Sequence, residues 1–102
     1  GEPSEKIRER VEGARRIQEK RFRGLPITTN SEMGLREIKE FVPIHDSLHS
    51  VLSMAHEKYH LSARSYHRLL KLSRTIADLH ESPVIASDHI LEALQYRPKQ
   101  EV

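Results

Sequence analysis

The sequence contains no cysteine and no tryptophan, and its aromatic residues are only three tyrosines and two phenylalanines. Without cysteine the chain forms no disulfide, no thiolate nucleophile and no thiolate metal ligand. No apolar run approaches the roughly 20 residues that span a bilayer, and residues 1–10 lack the apolar segment of a secretory signal peptide. We therefore expect a cytoplasmic protein with no membrane partner.

The charge is nearly balanced but unevenly distributed. The net charge is +2, yet residues 1–24 contain eight lysines and arginines against five glutamates. A basic first helix is compatible with binding to nucleic acid through Arg8, Arg15 and Arg16. A solvated helix face is the more frequent origin of such a mixture. Composition leaves both interpretations open.

Apolar residues at helical spacing predict five helices and no strand. The first helix begins after Ser4 and ends before Gly24. The second is capped by Thr29 or Asn30, and Glu32 suggests a capping box. The other three are expected at about 44–59, after the cap Ser62 to about residue 80, and after the cap Ser87 to about residue 96. The apolar residues assigned to the first three helices are Ile7, Val11, Ala14, Ile17 and Phe22, then Leu35, Ile38, Phe41 and Val42, then Ile44, Leu48, Val51, Leu52, Ala55 and Tyr59.

These helices predict an all-α fold, a compact bundle of four or five helices with one core. We expect three parts: residues 1–24 as a basic amphipathic helix that leads into the bundle, 25–97 as the helical domain, and 98–102 as a C-terminal tail.

The segment 61–82, which contains the fourth predicted helix, has both an apolar arc and a basic stripe. On a helical wheel its apolar residues occupy about half of the circumference. Arg68, Lys71 and Arg74 lie within roughly 80° of Arg64 on the remainder, and Asp78 falls among them. The stripe is therefore expected to lie outside the core. Arg74 and Asp78 are spaced i,i+4, which favours an ion pair. Contact of Arg74 with a neighbouring subunit is the alternative.

Four segments of the chain resemble the magnesium-chelatase-like AAA+ ATPases, ComM (YifB) subgroup. The run 71–79 reads K-L-S-R-T-I-A-D-L, with Ser73 where the family pattern has alanine. It is preceded by S-A-R at 62–64 and followed by E-A-L-Q-Y-R at 92–97. Residues 7–22, I-R-E-R-V-E-G-A-R-R-I-Q-E-K-R-F, are similar to the N-terminal pattern of the same region.

The resemblance implies the C-terminal helical lid of such an ATPase. Arg64 then corresponds to the sensor-2 arginine, which contacts the phosphates of the bound nucleotide. ATP and Mg²⁺ would be held by an upstream AAA+ core of the same polypeptide. Neighbouring subunits of a ring, and DNA, are the other implied partners, and Arg8, Arg15, Arg16, Arg68 and Arg74 are candidates for those interfaces. The chain has no phosphate-binding loop of the G-x-x-x-x-G-K-[ST] type, so it is not expected to hydrolyse ATP by itself.

Seven histidines raise a second possibility. His45, His49, His56 and His60 are predicted to share one face of the third helix, and residues 56–60 read H-E-K-Y-H. The H-E-x-x-H pattern is that of zinc proteases, for which His67 or His80 could supply a third ligand. A partly exposed histidine stripe that borders the apolar face is the expected alternative, and we predict no metal site.

Overall fold

Five α-helices and two short 3-10 turns make up the described part of the chain. The structure, a computed structural model, describes residues 2–96. The helices are α1 (Ser4–Arg21), α2 (Leu35–Phe41), α3 (His49–Tyr59), α4 (Ala63–Leu79) and α5 (Ser87–Gln95), and the turns are Asn30–Glu32 and Asp46–Leu48. Within residues 2–96 there is no strand. The predicted all-α bundle is confirmed, whereas the predicted tail 98–102 and Arg97 of the last motif lie outside the described residues. The division at residue 24 stays a prediction.

Helix α4 is the central element of the bundle. It packs against α1, α2, α5 and the Asn30–Glu32 turn, and α5 also contacts α3. Its apolar arc is buried as expected, with Leu69, Leu70, Ile76 and Ala77 in the core. The core is completed by residues from α2, α3 and α5 and from the connecting segments: Phe22, Met33, Ile38, Val42, Leu48, Leu52, Ala55, Ile85, Ile90, Ala93 and Leu94.

Only the second half of α1 is covered by the bundle. Ala14 and Gln18 are buried, and Phe22 directly after the helix lies in the core. Ile7 and Val11 lie on the same face but are 46 % and 42 % exposed, and every residue from 2 to 12 is exposed. Their predicted packing is therefore wrong for the described chain, because helical spacing identifies a face without identifying what covers it.

Several predicted helix boundaries are shifted by local backbone chemistry. Thr29 and Glu32 form the expected capping arrangement, but around a 3-10 turn. A new helix, α2, starts only after Gly34, whose N–H donates to Glu37. Leu35 in the first turn of α2 is exposed rather than packed. In α5 the first helical residue is Ser87, and the ring of His89 accepts the N–H of Ala86 in place of a serine cap.

The predicted histidine stripe is wrong in its geometry. His45 precedes the Asp46–Leu48 turn, and α3 begins only at His49. His60 follows α3 in a left-handed conformation with φ of 49°. His56 stacks on Tyr66, with 4.8 Å between ring centroids. Among residues 2–96 no group of three or more histidines, aspartates or glutamates could hold a metal ion.

None of the helices in the described range combines the length and the hydrophobicity that a membrane span requires.

Glu32 is expected to make the stability of the 28–34 segment depend on acid pH. One carboxylate oxygen accepts the backbone N–H groups and the hydroxyls of Thr28 and Thr29. These bonds, the N–H of Thr28 foremost, lower the pKa of Glu32 below its ordinary value of 4.5. A lowered folded-state pKa contributes stability above the unfolded-state pKa, and that contribution is lost as the pH falls through the folded-state value.

Urea unfolding at a series of pH values should therefore find Glu32→Gln less stable than wild type above about pH 5, with a difference that shrinks as the pH decreases. Glu40→Gln, an exposed carboxylate on α2, is the control. A Glu32→Gln difference that stays constant from pH 7 to pH 3 would contradict this role of the carboxylate.

Candidate functional site

Arg64 lies at the exposed N-terminal end of α4. The helix begins at Ala63, and the hydroxyl of Ser62 accepts the backbone N–H of Ser65 at 3.1 Å, as predicted for a cap. Arg64 in the first turn is exposed. Its guanidinium has no hydrogen bond or ion pair with any residue in the range 2–96. The guanidinium is therefore available to an external anion, at the helix end where the backbone dipole also favours negative charge.

The basic stripe of α4 is exposed only at its start. Arg68 is exposed, like Arg64. Lys71 is half-buried and donates to the backbone carbonyls of Ser31 and Met33 at 3.0 and 3.3 Å. Arg74 is only 4 % exposed. The expectation that the whole stripe lies outside the core is therefore wrong for Arg74, because the 30–34 and 82–83 segments cover the second half of the helix.

A buried polar cluster at the C-terminal end of α4, which we call the Asp78 joint, contains Arg74. Its members come from α1, from the Asn30–Glu32 turn and from α4: Gln18, Arg21, Asn30, Arg74, Thr75 and Asp78. Asp78 is the centre, with its side chain 1 % exposed. Its carboxylate accepts from Arg21, Asn30 and Arg74. Two guanidinium groups thus neutralise one carboxylate that the dipole of the helix end would otherwise disfavour.

Arg21 makes the shortest ion pair of the joint. Its two terminal nitrogens donate to the two carboxylate oxygens of Asp78 at 2.7 and 2.8 Å, the bidentate geometry that guanidinium groups favour. The same side chain donates to the amide oxygen of Asn30 at 2.9 Å. Asn30 in turn donates to Asp78 and Thr75, while its backbone N–H donates to Gln18 at 2.9 Å. The end of α1 is therefore fixed to the end of α4.

Arg74 forms the predicted ion pair with Asp78, at 3.2 Å. It also donates to the carbonyls of Ser82 and Pro83 at 2.6 and 3.3 Å. Burial lowers the pKa of the Arg74 guanidinium below its ordinary range, and Asp78 opposes that shift. Of the two alternatives for Arg74, the structure has the intramolecular pair, so this residue is not part of an exposed interface.

A sharp turn after α4 brings the Ser82 and Pro83 carbonyls to Arg74. Glu81 is left-handed, with φ of 54°. The N–H of Ser82 donates to the Ala77 carbonyl at 2.8 Å and that of Glu81 to the Asp78 carbonyl at 3.0 Å, which is a Schellman ending. Glycine is the usual residue at the left-handed position. With glutamate there, no glycine marks this left-handed position in the sequence.

The three arginines nominated on α1 are all on the surface. Arg8, Arg15 and Arg16 are exposed, whereas Arg10 on the same helix pairs with Glu2. They lie outside the Asp78 joint, and Arg8 is on the uncovered half of the helix. Sequence reasoning missed Arg21, Asn30 and Gln18 as joint residues. A basic residue at the end of an amphipathic helix was the only signal available for Arg21.

Comparison with known proteins assigns the chain to a family. The family described as "Magnesium chelatase, subunit ChlI C-terminal" matches residues 1–97. The chain is 40 % identical to the Competence protein ComM of Haemophilus influenzae over 97 residues, which is 95 % of its length. It is 36 % and 34 % identical to the YifB proteins of Escherichia coli and Salmonella typhimurium over the same length. The chain spans 18 % of the length of each of these relatives. It belongs to the magnesium chelatase ChlI C-terminal family, as the sequence motifs predicted.

Proposed function

We propose that the chain is the helical lid of a ComM-type, magnesium-chelatase-like AAA+ ATPase. In that role it couples ATP binding and hydrolysis to the motion of a ring of subunits. Membership of the family, the all-helical fold and the resemblance of the S-A-R and K-L-S-R-T-I-A-D-L motifs to those of AAA+ lids support this role. The observation that carries it is the exposed, unpartnered guanidinium of Arg64 at the start of α4.

The chemistry of Arg64 suits a phosphate contact. A guanidinium is charged at every physiological pH, has only hydrogen-bond donors, and binds phosphate oxygens in a bidentate manner. Phosphoryl transfer depends mainly on positioning and on neutralising charge, which a single well-placed arginine contributes to. ATP and Mg²⁺ would be held by the upstream core of the full-length protein. Arg64 is the residue of this chain that would reach the nucleotide.

The cellular role is proposed from the relative named Competence protein ComM. We propose that the full-length protein remodels DNA during competence-related recombination, in the cytoplasm. In such a protein the lid would contact the ATPase core of its own subunit and the neighbouring subunit of the ring. Arg68, exposed one turn after Arg64, is a candidate for the contact between subunits.

Arg64→Ala in the full-length ATPase is expected to lower nucleotide turnover by about tenfold or more, because a charge that neutralises the phosphates is removed. Steady-state ATP hydrolysis measures the effect. The melting temperature of the isolated chain should change little, because Arg64 is exposed and its guanidinium makes no hydrogen bond or ion pair within residues 2–96. Arg64→Lys keeps the charge but loses the bidentate geometry, so its turnover should be intermediate.

Arg36→Ala is the matched control, since Arg36 is an exposed arginine on α2. It should leave turnover unchanged. Wild-type turnover in Arg64→Ala would remove Arg64 from the nucleotide site and with it the proposed role of this domain.

A helical nucleic-acid-binding domain is the alternative function, favoured by the exposed Arg8, Arg15 and Arg16 on α1. If it is correct, the isolated chain should bind duplex DNA with an affinity that falls steeply with salt, because each phosphate contact releases counterions. Arg8→Ala, Arg15→Ala and Arg16→Ala together should reduce both the affinity and the salt slope, whereas Arg36→Ala should not. Fluorescence anisotropy of labelled duplex DNA, titrated with the chain at salt concentrations between about 50 and 200 mM, measures this dependence. Absence of binding at the lower salt concentration would exclude this function.

A further inference from the structure

We infer that Arg21 is a positioning residue that makes α1 and α4 move as one body, so that the phosphate state sensed at Arg64 is passed to α1. This inference rests on the proposed function. It starts from the Asp78 joint, where the last residue of α1 and the last turn of α4 are held together. No local pattern requires this link, because Arg21 and Asp78 are 57 positions apart in the chain.

The link is rigid. Both carboxylate oxygens of Asp78 are held by Arg21 at 2.7 and 2.8 Å, and the Asp78 side chain is 1 % exposed. A bidentate pair fixes orientation as well as distance, and a buried pair is little screened by solvent. Asn30 bonds to Arg21 and to Asp78 and so prevents either from rotating away. Rotation of α4 therefore has to rotate the end of α1 with it.

The positions of the two helices make this link useful for transmission. Arg64 lies at the opposite end of α4 from Asp78, about 20 Å along the helix axis at 1.5 Å per residue. Helix α1 has 18 residues, and its first half is not covered by the rest of the described chain. Helix α4 thus carries Arg64 at one end, and α1 carries an exposed N-terminal arm, residues 4–12. The Asp78 joint connects the other ends of the two helices. A tilt of α4 at Arg64 becomes a displacement of that arm.

Arg21 links two helices, and it is not the only cation that neutralises Asp78. Arg74 already pairs with Asp78 within α4 and is itself held by the Ser82 and Pro83 carbonyls. Asn30 provides a further donor to the carboxylate. Without Arg21, therefore, Asp78 keeps one cation and one amide, while α1 loses its only ion pair to α4 within residues 2–96.

A double-mutant cycle in the full-length ATPase tests the inference. Arg21→Gln is expected to lower ATP turnover by about fivefold or more, the lower end of typical coupling between sites, with less change in the KM for ATP than Arg64→Ala produces. In the Arg64→Ala background, Arg21→Gln should have little further effect, because the signal that it transmits is already absent. Arg21→Lys, which keeps the charge without the bidentate geometry, should restore part of the turnover.

Arg23→Gln is the matched control, since Arg23 is exposed just after α1, and it should match wild type. Equal fold-losses from Arg21→Gln with and without the Arg64 substitution would mean independent action and overturn the inference, as would unchanged turnover. In either case a large effect of Arg64→Ala alone would leave the proposed function standing. If Arg64→Ala itself has no effect, both the proposed function and this inference fail.

If Arg21→Gln does not fold, the same double-mutant cycle is carried out with Arg21→Lys. Additive losses of turnover in that cycle overturn the inference, and non-additive losses support it.

Discussion

Asp78→Ala is expected to lower the free energy of unfolding by about 3–5 kcal/mol, since removing one partner of a buried ion pair leaves the other charge uncompensated. Arg74, 4 % exposed, would then have no carboxylate. Arg21 would lose both of its bonds to that carboxylate, and Asn30 one acceptor for its amide. Because domains of this size are stable by about 5–15 kcal/mol in total, this single change would remove a large fraction of the stability.

Urea unfolding followed by circular dichroism measures this loss. Asp78→Asn keeps the shape and one acceptor but removes the charge, so its loss should be smaller than that of Asp78→Ala. Glu57→Ala on α3 is the control, because Glu57 is an exposed carboxylate with no partner in the described range. The control should change stability by less than about 0.5 kcal/mol. A loss below about 1 kcal/mol for Asp78→Ala would mean that the two arginines reach water or other partners when the carboxylate is absent.

Local patterns in the sequence predicted the parts of the fold that local chemistry determines. The apolar arc of α4, the cap at Ser62 and the i,i+4 pair of Arg74 with Asp78 all involve residues within one helix or one turn. The family motifs on α1, α4 and α5 predicted the family in the same way. For the candidate site, the exposed position of Arg64 followed from its place on the helical wheel.

Contacts between distant segments were not predictable in this way. Whether a basic residue is exposed depends on what packs over it, and α4 has basic residues of both kinds: Arg68 is exposed and Arg74 is buried. The pairing of Arg21 with Asp78 depends on how α1 crosses the bundle, which no periodicity encodes. In the uncovered half of α1 the opposite occurs: Ile7 and Val11 continue the apolar spacing, but they lie beyond the end of the core and are exposed.

Helix boundaries failed where side chains replaced the usual capping residues. His89 accepts the N–H of Ala86 at the start of α5, and Glu81 takes the left-handed position after α4. Gly34 separates the Asn30–Glu32 turn from α2, although the two had been predicted as one helix. These differences matter for the site, because the turn places Asn30 in the Asp78 joint and the ending of α4 places two carbonyls on Arg74.

Ile90→Ala is expected to destabilise the domain by about 2–5 kcal/mol, the range for removing a large aliphatic side chain from a core. Ile90 is fully buried in α5, which packs against both α4 and α3. The loss combines the transfer of fewer apolar atoms from water with the cavity left between these helices. The effect on the Asp78 joint should be small, because no residue of α5 belongs to it.

The neighbouring Leu91 provides a control on the same helix. It is 46 % exposed, so Leu91→Ala should cause a loss of less than about 1 kcal/mol because little apolar surface returns to water. Urea unfolding of both variants measures the difference. Similar losses for the two would mean that the outer face of α5 is covered in solution, for example by a second copy of the chain. A loss for Leu91→Ala that grows with protein concentration would identify that copy as the partner.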